Sequence, residues 1–111
     1  MPHFMMQVKY SADAVKAMVA NPQDRKKAAA AAVEAAGGKL MCVYFSFGAK
    51  DILAIYEAPN AISAIGLSMI MGASGAASDV ETTPLLTTAE AMEAMKHAAK
   101  AAPSYKPPAK K

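Results

Sequence analysis

The chain has 111 residues, 54% of them hydrophobic and 19% charged, with 7 Pro and 6 Gly. That is one domain's worth, with enough apolar side chains for a core, which excludes an intrinsically disordered chain. The single cysteine, Cys42, excludes an internal disulfide framework and any multi-cysteine zinc or iron–sulfur site, while a formal charge of +3 (pI about 9.0) raises the question of an acidic partner.

The position of that charge answers the question. Residues 100–111 carry Lys100, Lys106, Lys110 and Lys111 and no acid, whereas residues 1–99 hold 8 basic against 9 acidic side chains. A nucleic-acid-binding domain concentrates positive charge on a folded face. Here the excess is a terminal Lys/Pro tail, so no nucleic-acid partner is expected. No apolar run is long enough to cross a bilayer, and no charged segment precedes an apolar stretch at Met1. These features predict a soluble, cytoplasmic chain without a membrane partner, divided into a domain at residues 1–101 and a basic, Pro-rich tail at 102–111.

Residues 3–10 alternate, with Phe4, Met6, Val8 and Tyr10 on one side and His3, Met5, Gln7 and Lys9 on the other. Period two predicts a strand with one strongly apolar face. Ser11 is placed to cap a helix with Asp13 in its first turn. Asn21-Pro22 interrupts the helical pattern, because Pro restricts the residue before it and cannot donate. A second helix is expected from about Gln23 to Ala36, stopped by Gly37-Gly38.

Lys39 to Phe47 predicts the next strand, with Met41, Val43, Phe45 and Phe47 facing one way and Leu40, Cys42, Tyr44 and Ser46 the other. Asp51 to Glu57 is apolar on both faces through Ile52-Leu53-Ala54-Ile55-Tyr56, the pattern of a central strand. Pro59-Asn60 opens a helix from about Ala61 to Met71, ended at Gly72. Residues 77–83 form a weak last strand, which Pro84 confines to an edge or to its own end. Thr87 and Glu90 offer a capping box for a final helix with an expected buried stripe of Ala91, Met92, Met95, Ala98 and Ala99.

The first six elements read as βαββαβ, which predicts an α+β, ferredoxin-like sandwich with an extra C-terminal helix and a Pro/Lys tail. Strands one and three would be central and the helices would cover one face. The other would show Met5, Leu40, Cys42, Tyr44 and side chains of strand three, a patch larger than a monomer leaves wet. Self-association into a homo-oligomer, dimer or higher, through this face is the expected partnership.

Several of these segments together resemble the GYD family of small bacterial α+β proteins. They are Tyr10-Ser11, Arg25-Lys26, Gly37-Gly38-Lys39, Tyr44-Phe45-Ser46-Phe47-Gly48-Ala49-Lys50-Asp51, Glu57-Ala58-Pro59-Asn60, Ala73-Ser74-Gly75, Thr82-Thr83-Pro84-Leu85-Leu86-Thr87 and Tyr105-Lys106-Pro107-Pro108. The signature Gly and Asp match Gly48 and Asp51, whereas Lys50 occupies the Tyr position. The resemblance implies a ferredoxin-like, oligomeric protein of a family without a settled biochemical activity. The shared ending also implies that Tyr105 docks on the protein or its neighbour, with Lys110 and Lys111 free.

The polar inventory for chemistry is thin. Asp51 and Glu57 share one strand about 20 Å apart, too far for a carboxylate pair within one chain. Asp51 is expected to close the hairpin through its side chain, and Glu57 to solvate a strand end. Cys42, mid-strand without a neighbouring His, reads as a small hydrophobe. His3 and His97 sit at opposite ends of the fold and make no metal site. The nine methionines suit Cu(I) in principle, but Met5, Met6, Met69, Met71, Met92 and Met95 fall at expected core positions, and paired cysteines are lacking. Gly72 to Gly75 follows a helix and reads as a turn rather than an anion nest. No metal and no cofactor are expected.

Two readings remain. One is an oligomeric small-molecule-binding or structural protein, its apolar pocket lined by Met5, Cys42, Tyr44 and, from strand three, Tyr56. The other is a cofactor-free enzyme of the dimeric α+β barrel type, monooxygenase- or isomerase-like, with Asp51, Tyr44 or His3 as the enclosed polar group.

Overall fold

The first strand, β1 (His3–Tyr10), sits in the middle of a four-stranded sheet because its alternate side chains Phe4, Val8 and Tyr10 are all buried beneath helices. The structure, a computed structural model, describes residues 1–109. Lys110 and Lys111 lie outside the described residues. After β1 come α1 (Ala12–Ala20), α2 (Arg25–Ala35), β2 (Lys39–Phe45), β3 (Ile52–Glu57), α3 (Ala61–Ala73), β4 (Ala77–Leu85) and α4 (Thr88–Ala101), then a 3-10 turn at Ala102–Ser104. The sheet order is β2-β3-β1-β4, antiparallel throughout. This is the ferredoxin-like arrangement with an added C-terminal helix. The doubly apolar strand is central, and β4 is the edge strand that accommodates Pro84.

Local chemistry sets the helix starts. Ser11, Asp24 and Asn60 each accept a backbone N–H from the first turn of α1, α2 and α3. Thr87 and Glu90 form the full capping box of α4. The break at Asn21-Pro22 separates α1 from α2, as the local conformational restriction requires.

The core lies between the sheet and the helices in two clusters. Phe4, Val33, Tyr56, Ala58, Ala64 and Leu67 form one, with Phe4 and Tyr56 stacked at 5.9 Å between ring centroids. Val8, Tyr10 and Ile52 form the other, with Met6, Val15, Met18, Val43 and Met71 packed around them. Gly38 lies where a Cβ would stand 2.0 Å from the Glu57 carbonyl oxygen, so β2 approaches β3 closely only because that residue has no side chain.

Three expectations change. The β2–β3 register shifts between Leu40 and Cys42, leaving Met41 as an extra residue. The alternation reverses there, and Leu40 packs on the core instead of joining Cys42 and Tyr44 on the opposite face. The second change is at α4, which buries none of its residues: Met92 and Met95 are exposed, as is Met69 on α3, whereas Met6 and Met71 do pack on the core. Tyr105, third, is 69% exposed and does not dock on its own chain, which leaves only a neighbouring copy of the two expected docking places.

Candidate functional site

Among the described residues no element covers the face of the sheet away from α1, α2 and α3, and the register shows what that face carries. Cys42, Ile55, Met5 and Thr83 form one row across the four strands, and Tyr44, Leu53, Gln7 and Glu81 the next. The centre of the face is therefore apolar, built from side chains on β1, β2 and β3. Lys39, Glu57 and His3 make a charged row at one end. At the other end Lys9 stands opposite Asp79, beside Lys50 and Asp51.

Sequence reasoning placed Met5, Cys42 and Tyr44 together, and they share this face. Tyr44 is 65% exposed. Tyr56 does not join them. One residue past Ile55, it points to the helix side, is 1% exposed and belongs to the core cluster. Its hydroxyl has no hydrogen-bond partner among the described residues, and burial pushes its pKa above the ordinary tyrosine value. His3 sits at the rim of the open face, opposite Glu57 and Leu85.

Asp51 differs most from its expected role. Its side chain does not close the β2–β3 hairpin; there the Asp51 carbonyl accepts Ser46 N–H at 2.8 Å. The carboxylate reaches across to β1 instead, accepting from Lys9 Nζ at 2.9 Å and from Tyr10 N–H at 2.9 Å. Tyr10 lies beyond a register shift in the β1–β4 pairing, and the carboxylate serves its N–H there. Asp51 is 1% exposed, and the hydrogen bond from Lys9 holds its carboxyl below the usual range despite burial. Next to it, Lys50 pairs with Asp79 and, at 3.5 Å, with Glu81. Lys50 thus ties the hairpin to the far edge strand. This network was not anticipated, although Asp79 and Glu81 at period two on a strand facing Lys9 carried the signal.

The hairpin places its unusual backbone at Phe47, whose φ is 49°, and not at Gly48. A bulky residue in the left-handed region is held by its surroundings; here the Phe47 ring stacks on Phe45, which stacks on Tyr10. On the helix side, α2 presents Ala28, Ala29 and Ala32 to the sheet, side chains too short to reach it. A cleft of about 220 Å³ remains there against Met6, Val8, Ile52, Ala54 and Met71, with Arg25 among its lining residues. The described residues include no group of three or more His, Cys, Asp or Glu side chains able to hold a metal ion, and no helix long and apolar enough to cross a membrane.

The family model for the GYD domain matches residues 4–95. The chain belongs to the GYD domain family. Among solved structures, this GYD domain is similar to the crystal structure of MtbAldR, with a TM-score of 0.50 and 17% identity. The match covers 78% of this chain and 52% of that one, so the chain spans about half the length of MtbAldR, and the likeness is one of fold. No curated protein matches the GYD domain described here. Within the family signature, Asp51 has a visible structural task. Gly48 has open space around its Cα, and neither packing nor a positive φ explains a glycine there.

Proposed function

We propose that this GYD domain works as a homo-oligomer paired through the open face of its sheet, enclosing a small apolar ligand among Met5, Cys42, Tyr44, Leu53 and Ile55. The observation that carries the reading is the pattern on that face, an apolar centre between two charged rows with no cover from its own chain. Apolar centre and polar rim are the anatomy of an association surface. A standard interface of about 1,600 Å², some 60% apolar, supplies roughly 20 kcal/mol of gross hydrophobic stabilisation. Rigid-body freedom lost on association costs about 4–15 kcal/mol, which a dry apolar centre of that size would offset. On a single chain these residues line a surface, and a second sheet laid over it would turn the surface into an enclosed, dry site.

The polar candidates lend less to an enzyme. A general base needs a pKa poised near neutrality, whereas the Asp51 carboxyl is lowered and both its oxygens are engaged. Among the described residues no side-chain hydrogen bond reaches Tyr44 or His3 to activate them.

Native mass spectrometry of the protein as purified tests both halves of the proposal. The expected spectrum is an oligomer whose mass exceeds a multiple of 11.5 kDa by a small non-peptide component, released on denaturation. An unladen oligomer removes the ligand; a folded monomer removes the pairing.

A further inference from the structure

A second unpartnered surface lies on the other side of the molecule. α3 has no charged residue along its 13 positions, and only Ala64 and Leu67 are buried. Ile62, Ile65 and Met69 form a stripe at i, i+3 and i+7, exposed by 83%, 46% and 68%. An amphipathic helix of a solitary domain would carry charge on that side.

α4 is its counterpart. Met92, Met95 and Ala99 repeat the same i, i+3, i+7 spacing, flanked by Ala91 and Ala98, while Glu90, Glu93, Lys96, His97 and Lys100 occupy the opposite side. None of its 14 residues is buried, and apart from isolated contacts it touches, among the described residues, only the 3-10 turn that follows. A helix of this length is marginal in water by itself. Its capping box and the Glu93–Lys96 pair add only a modest stabilisation.

We propose that α4 packs on the outer stripe of α3 in a second copy of the chain, and that the second copy returns the contact. The two helices are matched in length, about 20 Å and 21 Å at 1.5 Å per residue, and their seams each run seven residues, in the three–four spacing that lets side-chain ridges interdigitate. α3 offers no charge to be desolvated, and the charged side of α4 stays in water. Only Leu86 and Thr87 separate β4 from α4, and Thr87 is held in the capping box, so the exit direction is set and α4 stands clear of its own α3.

The surface area argues for a second copy rather than a foreign helix. The chain exposes 7740 Å², whereas a compact monomer of its mass exposes about 5,800 Å². Its radius of gyration is 17.7 Å, against about 13 Å for a compact domain of this length. The excess, about 1,900 Å² per chain, is shared by α4, the exposed residues 102–109 and the uncovered faces of α3 and the sheet, and is of the size that reciprocal burial in an obligate homodimer removes. A reciprocal contact also closes under twofold symmetry. The inference does not depend on the sheet pairing, which uses the opposite side of the molecule.

The test uses the full chain with Cys42→Ser, Ile65→Cys and Met95→Cys under mild oxidation by oxidised glutathione, read on non-reducing gels with a thiol count. A covalent dimer is expected. A monomer with both thiols consumed and no glutathione mass added means that α4 folds onto its own α3 and overturns the proposal, as does a monomer whose thiols stay free or end as glutathione mixed disulfides. A second variant, Met95→Cys with the native Cys42, reads the alternative occupant: a 42–95 cross-link would place α4 on the open sheet and overturn the assignment. Independently, Met92→Glu with Met95→Glu is expected to halve the sedimenting mass. An unchanged mass contradicts the proposal, while Ile55→Glu, on the sheet, reports on the other interface alone.

Discussion

Replacing Ile55 by Glu puts a carboxylate at the centre of the open face, in register with Met5 on one side and Cys42 on the other. In the isolated chain the change is mild, because no element of the same chain covers that residue. In the paired sheets each copy loses the burial of an isoleucine, about 2–3 kcal/mol, and gains an ion without a partner, whose desolvation adds to the cost. Twofold symmetry imposes the substitution twice. Even 3 kcal/mol per copy totals about 6 kcal/mol, roughly four decades in the dissociation constant. Sedimentation velocity at micromolar concentration is the assay, with circular dichroism to establish that the chain is folded. A folded variant that keeps the wild-type mass refutes the reasoning, since no sheet-paired interface accommodates two buried glutamates there.

Further outcomes follow from single residues. Gly38→Ala drives a Cβ to 2.0 Å from the Glu57 carbonyl oxygen and is expected to cost about 3 kcal/mol in urea unfolding, whereas Gly48→Ala, in open space, stays within about 0.5 kcal/mol; equal effects at the two sites would contradict the close approach of β2 and β3. Tyr56→Phe keeps the ring stacked on Phe4 and removes a buried hydroxyl that has no partner, so stability should be unchanged or higher by up to about 1 kcal/mol; a loss of that size in thermal unfolding would mean the hydroxyl is engaged. The Asp51 carboxyl is lowered in the folded chain, so its contribution is present above the unfolded carboxylate pKa, about 3.9, and is lost as pH falls through the lower folded value. Asp51→Asn should therefore lower the melting temperature at neutral pH and flatten the acid limb of the melting curve measured down to about pH 2; a parallel shift at every pH would show that the Lys9 pairing is not what holds the charge.

The elements were legible where one local rule decided them. The alternation of Phe4, Met6, Val8 and Tyr10 and the doubly apolar Ile52 to Tyr56 placed the two central strands, and Thr87 with Glu90 placed the start of α4. What could not be read depended on partners distant in sequence. Nothing in Lys39 to Phe45 marks Met41 as the residue that bulges, because the bulge is a property of the pairing with β3, and simple alternation therefore puts Leu40 on the wrong face. The stripe on α4 says that Met92 and Met95 are to be covered but not by which chain, and periodicity made them core. Asp51 followed the same logic. Adjacency to the hairpin suggested a local hydrogen bond, whereas its acceptors serve Lys9 and Tyr10 from a strand more than forty positions away. For the candidate site, side-chain parity on the strands united Met5, Cys42 and Tyr44, and the same parity, counted one residue on from Ile55, removes Tyr56.

Self-association through uncovered apolar surface is the claim on which the rest depends. Sedimentation equilibrium of the unaltered full chain over the micromolar range addresses it directly. The expected mass is at least twice 11.5 kDa across that range. A folded species of 11.5 kDa at every concentration would contradict it.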